Sequence, residues 1–532
     1  MKKFAEMLWN NKWALSLTAG VLLGLSWPPF PFPFLVFPAF FLLFRLIDLC
    51  STAREAAYVI YPGFVIWNII TTYWMVMATV AGGIAAILAN SVVMTVPVML
   101  MYVFQKKFSN HWLIALTQSA AWISYEYLHH QWDLAWPWLA LGNAWSNIPE
   151  LVQYISATGY LGISLWIVLV TALAYQSIKA ESRRTAYASA VVLLIFPLIS
   201  LVQLSLLEVE TNKKIETVVA QPNFDTAAYP DFGGYNDAYE ALDVVLSISD
   251  SVRTDSTKLL VWPESAIRTH IFSTRVTDQS ANEVKQLLKE NAEKWDLTLI
   301  SGAVYFEYFS EDESPPLSRG SGSNPYLYYN AALGVYPDNN IEVYRKHNLV
   351  PVVERIPFIH FLDAIDVFNW VPLAGSQGFG KGYEPTPFLA DGVKTHALIC
   401  YDSVFPSWVR EFVQDGAGFI TIITNDGWWG NTSGHEQHFS YARLRAIEFR
   451  RWVVRSANNG ISGIIGPSGE ILVETKYWTK TAFRYDVPVT YEETIYTRFG
   501  DWLPYAMMLV SSWGILLILF RNFRPESVIS ST

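Results

Sequence analysis

The sequence predicts a membrane bundle of about eight α-helices joined to a separate α/β domain, and three observations lead to this prediction. First, 52% of the 532 residues are hydrophobic and only 16% are charged, whereas soluble proteins average roughly 25% charged residues. Second, the first 210 residues contain only 19 charged side chains. Third, short β-branched runs alternate with helical patterns from Lys213 to about Gly500, which is typical of an α/β domain.

The helical part of the prediction depends on eight apolar stretches, because roughly 20 such residues cross a bilayer core. They lie near residues 13–27, 34–49, 56–77, 83–104, 112–128, 160–178, 187–207 and 502–520. The first two stretches are short. The proline-rich run from Pro28 to Pro33 separates them, and it breaks any helix because proline lacks the amide donor.

The positions of Lys and Arg predict how these stretches are oriented, because cytoplasmic loops collect positive charge. Basic residues occur before the first stretch, in or beside the second, fourth and sixth connections, and after the eighth stretch. The first, third and fifth connections contain none. We therefore expect the amino terminus inside and the large polar segment outside. A cleaved signal peptide is the alternative for residues 1–27, but no small-residue cleavage pattern follows them.

These patterns divide the chain into a membrane domain (1–211), an α/β domain (212–499) and a final helix with a short tail (500–532). Within the α/β domain, the strand candidates are 217–220, 259–262, 297–304, 328–335, 396–400, 419–423 and a hairpin that turns at 466–469. Helical patterns cover 238–249, 281–295 and 436–451. Residues 310–325 show neither period and indicate a surface loop.

Composition and spacing argue against several classes of function. The formal net charge of −10 leaves no basic surface for nucleic acid, and two cysteines, Cys50 and Cys400, do not make a disulfide framework. Residues 375–382 nearly match a phosphate-binding loop, but Gly382 replaces the Ser or Thr that would bind magnesium, so no nucleotide is expected. His435 and His438 are spaced as zinc ligands on a helix could be, but no third ligand with suitable spacing is evident, so no metal is expected.

Three segments place reactive side chains just after predicted strands, where an α/β sheet normally opens its ligand crevice. These side chains are Glu264, Lys346 and Cys400. Taken singly, each is more typical of a solvated strand end or of a small core residue. Together they offer a base, a cation and a thiol. A thiol is a useful nucleophile only where a base or a nearby cation favours its thiolate, so the combination predicts chemistry.

The three motifs, Trp-Pro-Glu264, Tyr-Arg-Lys346 and Ile-Cys400-Tyr, resemble the Glu-Lys-Cys triad of the nitrilase, or carbon-nitrogen hydrolase, superfamily. With seven apolar stretches before this domain and one after it, the chain resembles the bacterial apolipoprotein N-acyltransferase family. Further segments that resemble this family are 24–29, 137–139, 329–330, 347–354, 425–428, 438–448 and 458–460. The resemblance therefore covers essentially the whole length.

The resemblance implies a nitrilase-like α-β-β-α sandwich on the periplasmic side of the bacterial inner membrane. It implies transfer of a fatty acyl chain from a phospholipid to the α-amino group of the diacylglyceryl amino-terminal cysteine of an apolipoprotein, without cofactor or metal. In this reaction Glu264 is the base, Lys346 stabilises the oxyanion and Cys400 carries a thioester. Supporting or substrate-binding residues implied in the same way are Asn330, Glu354, Tyr401, Asp402, Trp428 and Trp138.

The sequence departs from the family pattern at two positions. Asp402 stands where the acyltransferases commonly have Glu, which shortens that carboxylate by one methylene, and Val353 stands where a Gly usually precedes Glu354. Neither position belongs to the triad. Both departures concern the geometry of the carboxylates around the triad, so the role of Asp402 is the least defined by the resemblance.

Two other functions are compatible with the same residues. A membrane-anchored amidase or nitrilase would use the triad but resolve the covalent intermediate with water, and it would leave most of the membrane part unexplained because one span is enough for an anchor. A catalytically silent scaffold or receptor domain would keep the fold without turnover. The intact Glu264, Lys346 and Cys400 argue against a silent domain.

Overall fold

A computed structural model of the chain describes residues 9–209, 211, 213–226, 234–274, 278–320, 325–365 and 378–522. The chain divides into two compact units. The helical unit contains the described residues of Met1–Trp132, Trp136–Ser205 and Asp501–Thr532, and the α/β unit contains those of Asp133–Ala135 and Leu206–Gly500.

Each of the eight apolar stretches is helical. The longer helices of the helical unit are α1 (Lys12–Gly24), α2 (Val36–Leu49), α3 (Ala53–Thr72), α4 (Val80–Val93), α5 (Thr95–Lys107), α6 (His111–His129), α7 (Leu161–Lys179), α8 (Arg183–Ser205) and the carboxyl-terminal helix (Trp502–Asn522). Single-turn helices lie at Met75–Ala78 and Ile155–Thr158. Among the described residues, four helices are long and apolar enough to cross a membrane, namely Val80–Lys107, Leu161–Lys179, Arg183–Ser205 and Trp502–Phe520.

Small residues allow α1 and α3 to pack closely. A Cβ atom at Gly20 would lie 2.2 Å from the carbonyl oxygen of Gly63, so only a residue without a side chain fits there. The amide of Gly63 donates a hydrogen bond to the Ser16 hydroxyl at 3.2 Å. Because lipid tails are as apolar as leucine, helices in a membrane associate through this kind of close packing and through hydrogen bonds between helices.

One carboxylate lies close to basic residues from three of the connections that the sequence predicts on the cytoplasmic side of the membrane. Asp48 pairs with Lys179 and accepts a hydrogen bond from Tyr175 at 3.1 Å. Arg45 and Lys106 each lie 4.0 Å from the same carboxylate. These basic residues belong to the second, fourth and sixth connections, so the structure brings all three connections to one end of the helical unit.

The α/β unit is built from fourteen strands among its described residues. They are β1 (Lys214–Gln221), β2 (Leu259–Val261), β3 (His270–Phe272), β4 (Thr298–Tyr308), β5 (Tyr326–Val335), β6 (Ile341–Arg345), β7 (Phe388–Ala390), β8 (Val393–Thr395), β9 (Ala397–Ile399), β10 (Ile420–Thr424), β11 (Val453–Ala457), β12 (Gly463–Ile465), β13 (Ile471–Glu474) and β14 (Thr481–Pro488). The helices are α9 (Ala238–Asp250), α10 (Gln279–Trp295), α11 (Ile359–Ala364), α12 (Pro406–Gln414), α13 (Ser433–Phe449) and α14 (Ile495–Phe499).

These strands form two main sheets. The larger sheet has the order β14-β1-β2-β4-β5-β6, and β3 pairs with the far end of β4. The second sheet has the order β13-β12-β11-β10-β9. Strands β1, β2 and β4 are parallel, and so are β9, β10 and β11. The carboxyl ends of parallel strands lie at one edge of a sheet, and this edge is where ligands bind in α/β folds.

Alternate residues of the larger sheet face different layers, because successive side chains of a strand point to opposite faces. Ile215 and Val219 of β1 pack into the core shared with the second sheet, whereas Val218 and Ala220 face α9 and α10. Helices α12 and α13 pack against the second sheet. This arrangement is an α-β-β-α sandwich and confirms the fold class. A sheet covered on both faces also explains why Leu259–Val261 is continuously apolar.

Candidate active site

The three reactive side chains lie just beyond the ends of three strands. Glu264 follows β2, Lys346 follows β6, and Cys400 follows β9. Strand β2 belongs to the parallel part of the larger sheet and β9 to the parallel part of the second sheet. The two sheets of the sandwich therefore supply the carboxylate and the thiol from different layers, and Lys346 follows the edge strand of the larger sheet, with its ammonium 3.7 Å from Glu264.

The turn that carries Glu264 is fixed by its neighbours on both sides. Trp262 is fully buried and donates a hydrogen bond from its indole nitrogen to the hydroxyl of Ser249 in α9 at 3.0 Å. On β4, a Cβ atom at Gly302 would lie 2.5 Å from the Cα atom of Glu264. The absence of a side chain at Gly302 lets the Glu264 turn lie directly on the strand. Ser265 then adopts a left-handed conformation with φ 58°.

The Glu264 carboxylate is buried and accepts hydrogen bonds on both oxygens. Its Oε1 atom accepts from Nδ2 of Asn330 at 2.7 Å, and its Oε2 atom accepts from the backbone amide of Asn425 at 2.9 Å. Burial raises the pKa of Glu264, and Glu354 raises it further, whereas Lys346 and the two hydrogen bonds oppose the shift. A carboxylate with a raised pKa is suited to take a proton and return it near neutral pH.

The ammonium of Lys346 is fully buried between two carboxylates. Its Nζ atom lies 2.8 Å from Oε1 of Glu354 and 3.7 Å from Oε1 of Glu264. Burial opposes the charge, but the two carboxylates outweigh it, and the pKa of Lys346 is raised above its usual value. Asn330 donates to Glu354 at 2.8 Å as well as to Glu264, so one amide nitrogen bridges the two carboxylates. Lys346 therefore remains a cation at neutral pH.

Cys400 is a partly buried free thiol in an unusual backbone conformation. Its φ of 47° is in the left-handed region, which residues other than glycine seldom adopt. Residues in such strained conformations cluster at active sites. The carbonyl oxygen of Cys400 accepts a hydrogen bond from the Ser403 hydroxyl at 2.8 Å. Burial raises the pKa of the Cys400 thiol, Glu264 raises it further and Lys346 opposes the shift, so the resting side chain is a neutral thiol.

Asp402 connects the segment after Cys400 to the segment that carries Lys346. Its carboxylate accepts hydrogen bonds from the Tyr344 hydroxyl at 2.8 Å and from the Asn348 amide at 2.7 Å. These two partners flank Lys346 on both sides in the chain. Burial raises the pKa of Asp402 to about 6. Tyr401, which directly follows Cys400 in the chain, is buried, and its hydroxyl donates a hydrogen bond to the Ala135 carbonyl at 2.9 Å.

A second group of charged residues lies behind Cys400 and was not predicted as part of the site. Asp426 accepts hydrogen bonds from Arg455 at 2.7 Å and from Thr424 at 2.7 Å, and His438 lies 3.0 Å from it. The side chains of Asp426, His438 and Arg455 are fully buried. The Cys400 sulfur, an Asp426 oxygen and a His438 nitrogen lie within 4.8 Å of one another. Because Arg455 already neutralises Asp426, this group does not have the charge that a divalent cation needs.

Two family models match the chain and divide it as the structure does. The carbon-nitrogen hydrolase model matches residues 219–496, and the model of the apolipoprotein N-acyltransferase amino-terminal domain matches residues 19–173. The apolipoprotein N-acyltransferase of Chlorobaculum tepidum is 30% identical over 96% of this chain and 97% of its own length. The chain belongs to the apolipoprotein N-acyltransferase family. It is therefore a multi-pass membrane acyltransferase that acts in the N-acylation of lipoproteins.

Two further similar proteins align with smaller parts of this acyltransferase. The apolipoprotein N-acyltransferase of Rhodopseudomonas palustris is 29% identical over 76% of this chain and 72% of its own length. Among solved structures, Nit3 of Saccharomyces cerevisiae, a member of branch 10 of the nitrilase superfamily, aligns with 55% of this chain and 96% of its own length at 16% identity and a TM-score of 0.36.

The predicted supporting residues lie in different surroundings. Asn330, Glu354 and Asp402 contact the triad or its flanking segments, as described above. Trp428 of this acyltransferase follows β10 and is 44% exposed. Trp138 belongs to the helical unit, where it is buried against Trp74 at 5.0 Å between ring centroids. Residues 375–382 were not expected to bind a phosphate. Residues 375–377 lie outside the described residues. The Gly382 amide donates a hydrogen bond to the Lys346 carbonyl at 2.9 Å.

Proposed function

We propose that this acyltransferase takes a fatty acyl chain from a phospholipid and transfers it, through a thioester on Cys400, to the α-amino group of the diacylglyceryl amino-terminal cysteine of an apolipoprotein. The observation that carries the proposal is the buried group of Glu264, Lys346 and Cys400. It combines a protonated thiol, a carboxylate with a raised pKa and a permanent cation. These are the parts that a two-step acyl transfer requires.

In the first step, the Glu264 carboxylate takes the proton of the Cys400 thiol as the sulfur attacks the ester carbonyl of the phospholipid. The carbonyl oxygen becomes an oxyanion, and the Lys346 ammonium stabilises the negative charge that develops there. When the tetrahedral intermediate collapses, the bond to the glycerol oxygen breaks and Glu264 returns its proton to this oxygen. A lysophospholipid leaves and the acyl chain remains on the Cys400 sulfur.

In the second step, the α-amino group of the apolipoprotein attacks the thioester carbonyl. Glu264, which is a carboxylate again, takes a proton from this amine. The carbon-sulfur bond then breaks, an amide has formed, and Glu264 returns the proton to the Cys400 thiolate. The enzyme is restored without a cofactor. Glu354 supports both steps because it holds the Lys346 ammonium at 2.8 Å.

Both substrates of this reaction carry acyl chains that lie in the membrane, which explains why the enzyme has a helical unit. Moving a fatty acyl chain of about 16 carbons from a bilayer into water costs roughly 12 kcal/mol, at about 0.8 kcal/mol per methylene. An enzyme anchored in the same membrane avoids this cost because its substrates arrive laterally. We propose that all eight apolar stretches span the inner membrane and that residues 212–499 face the periplasm. The convergence of Arg45, Lys106 and Lys179 on Asp48 supports this topology.

The proposed chemistry can be tested with purified protein in phospholipid vesicles and a short peptide that begins with diacylglyceryl cysteine. The proposal predicts one N-acylated peptide for each lysophospholipid formed, and neither product with Cys400→Ala. Cys50→Ala is the matched control, because this cysteine belongs to the helical unit, and it should keep full activity. If the protein forms no N-acylated peptide but releases free fatty acid from the phospholipid, or ammonia from a small amide, it is a hydrolase of the amidase type.

The proposed topology has a separate test. Alkaline phosphatase, which is active only outside the cytoplasm, is fused after Lys107 or after Gly392. The first position lies in a basic connection and the second lies in the α/β unit. We expect an inactive fusion at Lys107 and an active fusion at Gly392. The reverse pattern would contradict the proposed orientation.

A further inference from the structure

The buried group behind Cys400 touches the nucleophile in two ways. His438 Nε2 lies 3.2 Å from the carbonyl oxygen of Cys400, the residue whose φ is 47°. The Thr424 hydroxyl donates to Oδ1 of Asp426 at 2.7 Å, and an Asp426 oxygen lies within 4.8 Å of the Cys400 sulfur, so this hydroxyl has two candidate acceptors. A hydroxyl has a single hydrogen, so Thr424 cannot donate fully to both acceptors at once.

Asp426 is a fixed negative charge. Its second oxygen accepts from Arg455 at 2.7 Å, and the same Arg455 nitrogen lies 3.1 Å from Nδ1 of His438. Despite the burial, the charge of Arg455 and the neighbouring hydrogen bonds lower the pKa of Asp426, so it stays ionised. A Cβ atom at Gly460 would lie 2.4 Å from Oδ2 of Asp426, which shows how closely the backbone encloses this carboxylate.

We propose that Asp426 and Thr424 are positioning residues for Cys400 that act in opposite directions on its thiol. The negative charge of Asp426 disfavours the thiolate and keeps the resting thiol protonated. The Thr424 hydroxyl donates to Asp426 while the sulfur carries its proton and turns to the sulfur when Glu264 removes that proton. The thiolate is then stabilised only during the reaction, which protects the resting enzyme from adventitious alkylation and oxidation.

The charges around the sulfur are consistent with this division of roles. Among the described residues, the charged or titratable groups that face Cys400 are Glu264 after β2, Lys346 after β6, the adjacent Tyr401, Asp426 after β10 and His438 in α13. Glu264 and Lys346 carry opposite charges and take part in the proposed chemistry. Asp426 raises the pKa of the Cys400 thiol, and a hydrogen bond from Thr424 to the sulfur lowers it when that bond forms. The functional meaning of this inference depends on Cys400 being the nucleophile, as proposed above.

The test measures the rate at which iodoacetamide alkylates Cys400 between pH 6 and 10, in a Cys50→Ala background and without lipid substrate. Asp426→Asn should move the midpoint of the pH profile to lower pH and accelerate alkylation at pH 7.5 by about tenfold, since one pKa unit is a tenfold change in thiolate below the midpoint. Thr424→Val, which keeps a β-branched side chain in β10, should move the midpoint to higher pH. A change that only alters access to the thiol would change the plateau rate and leave the midpoint in place.

Glu448→Gln is the matched control. It breaks another fully buried carboxylate-arginine pair, with Arg445 at 2.7 Å in the same helix as His438, and it should leave the midpoint unchanged. Unchanged midpoints in both test variants, or shifts in the same direction, would overturn the inference. If Asp426→Asn does not fold, an unshifted Thr424→Val profile alone overturns it. Opposite shifts in a protein that forms no thioester on Cys400 would support the inference and contradict the proposed function.

Discussion

Lys346 is held more closely by Glu354, at 2.8 Å, than by Glu264, at 3.7 Å. Glu354 neutralises the cation, so Glu264 does not form a short ion pair with it. This division lets Glu264 keep a raised pKa although a buried ammonium lies beside it. A carboxylate in a short ion pair would be a weaker base.

Glu354→Gln tests this division of roles. Without the negative charge of Glu354, Lys346 has Glu264 as its close partner, and the pKa of Glu264 should fall. We expect the acid limb of the kcat/KM profile to move to lower pH and kcat to fall about 100-fold, which is within the range of general base catalysis. Glu342→Gln, at a carboxylate that accepts a hydrogen bond from the Tyr336 hydroxyl, should change neither the acid limb nor kcat. An acid limb that moves to higher pH would contradict the assignment.

Asn330→Asp should have the opposite effect on pH dependence. The change replaces the amide that bridges Glu264 and Glu354 with a third carboxylate, and like charges raise one another's pKa. We expect transfer at pH 7 to fall at least tenfold, since a hydrogen bond to a charged group contributes about 1.5–3 kcal/mol. Raising the pH should restore part of the activity. Asn291→Asp, in α10, is the control, and equal loss at every pH would argue against the electrostatic cause.

Gly302→Ala should impair the base without unfolding the α/β unit. The added methyl group would meet the Cα atom of Glu264 at 2.5 Å and the amide of Ser265 at 2.7 Å, so the Glu264 turn must shift. A displacement of about 1 Å can cost a hundredfold in rate. We expect kcat to fall by about this factor while circular dichroism is unchanged. Ser301→Ala, one residue earlier on β4, should keep most activity, and a fully active Gly302→Ala enzyme would show that this close approach is not needed.

Asp402 predicts a dependence of stability on pH. Burial raises its pKa to about 6, so the folded protein binds a proton that the unfolded chain has released between about pH 4 and 6. The contribution of this proton to the free energy of unfolding is full below about pH 4 and is lost as the pH rises through 6. Thermal unfolding in detergent should therefore show wild type losing stability relative to Asp402→Asn over this window. A constant difference between the two proteins from pH 4 to 7 would contradict the raised pKa.

Local patterns predicted an α/β domain and placed Glu264 and Cys400 directly after strands, whereas the α-β-β-α layering was implied by the resemblance to the nitrilase superfamily. Apolar runs and strand ends identify β2 and β9, and the reactive residues follow directly in the chain. The expected strands and helices of the α/β domain are observed, with ends that differ by a few residues. The strands that were not predicted are β3, β6, β7, β8, β11 and β14. In β11, Arg455 interrupts the apolar run, and a charged residue normally argues against a buried strand.

The contacts between distant segments could not be predicted in the same way. The bridge from Asn330 to two carboxylates joins residues that are 66 and 24 positions apart, and the pair of Asp426 and Arg455 is 29 positions apart. Each depends on the order of strands in the sheets, which periodicity does not reveal. His438 was interpreted as a structural histidine, and the structure adds that it lies beside the Cys400 carbonyl oxygen.

The central claim is that Cys400 carries the acyl chain, and the intact mass of the protein tests it most directly. Purified enzyme is incubated with phospholipid vesicles in the absence of any amine acceptor, and peptides around Cys400 are then mapped. The account predicts a mass gain of one fatty acyl group on Cys400 that hydroxylamine removes and that is missing in Glu264→Gln. Folded, reconstituted protein that forms lysophospholipid and N-acylates the acceptor peptide but never gains this mass would contradict the thioester mechanism.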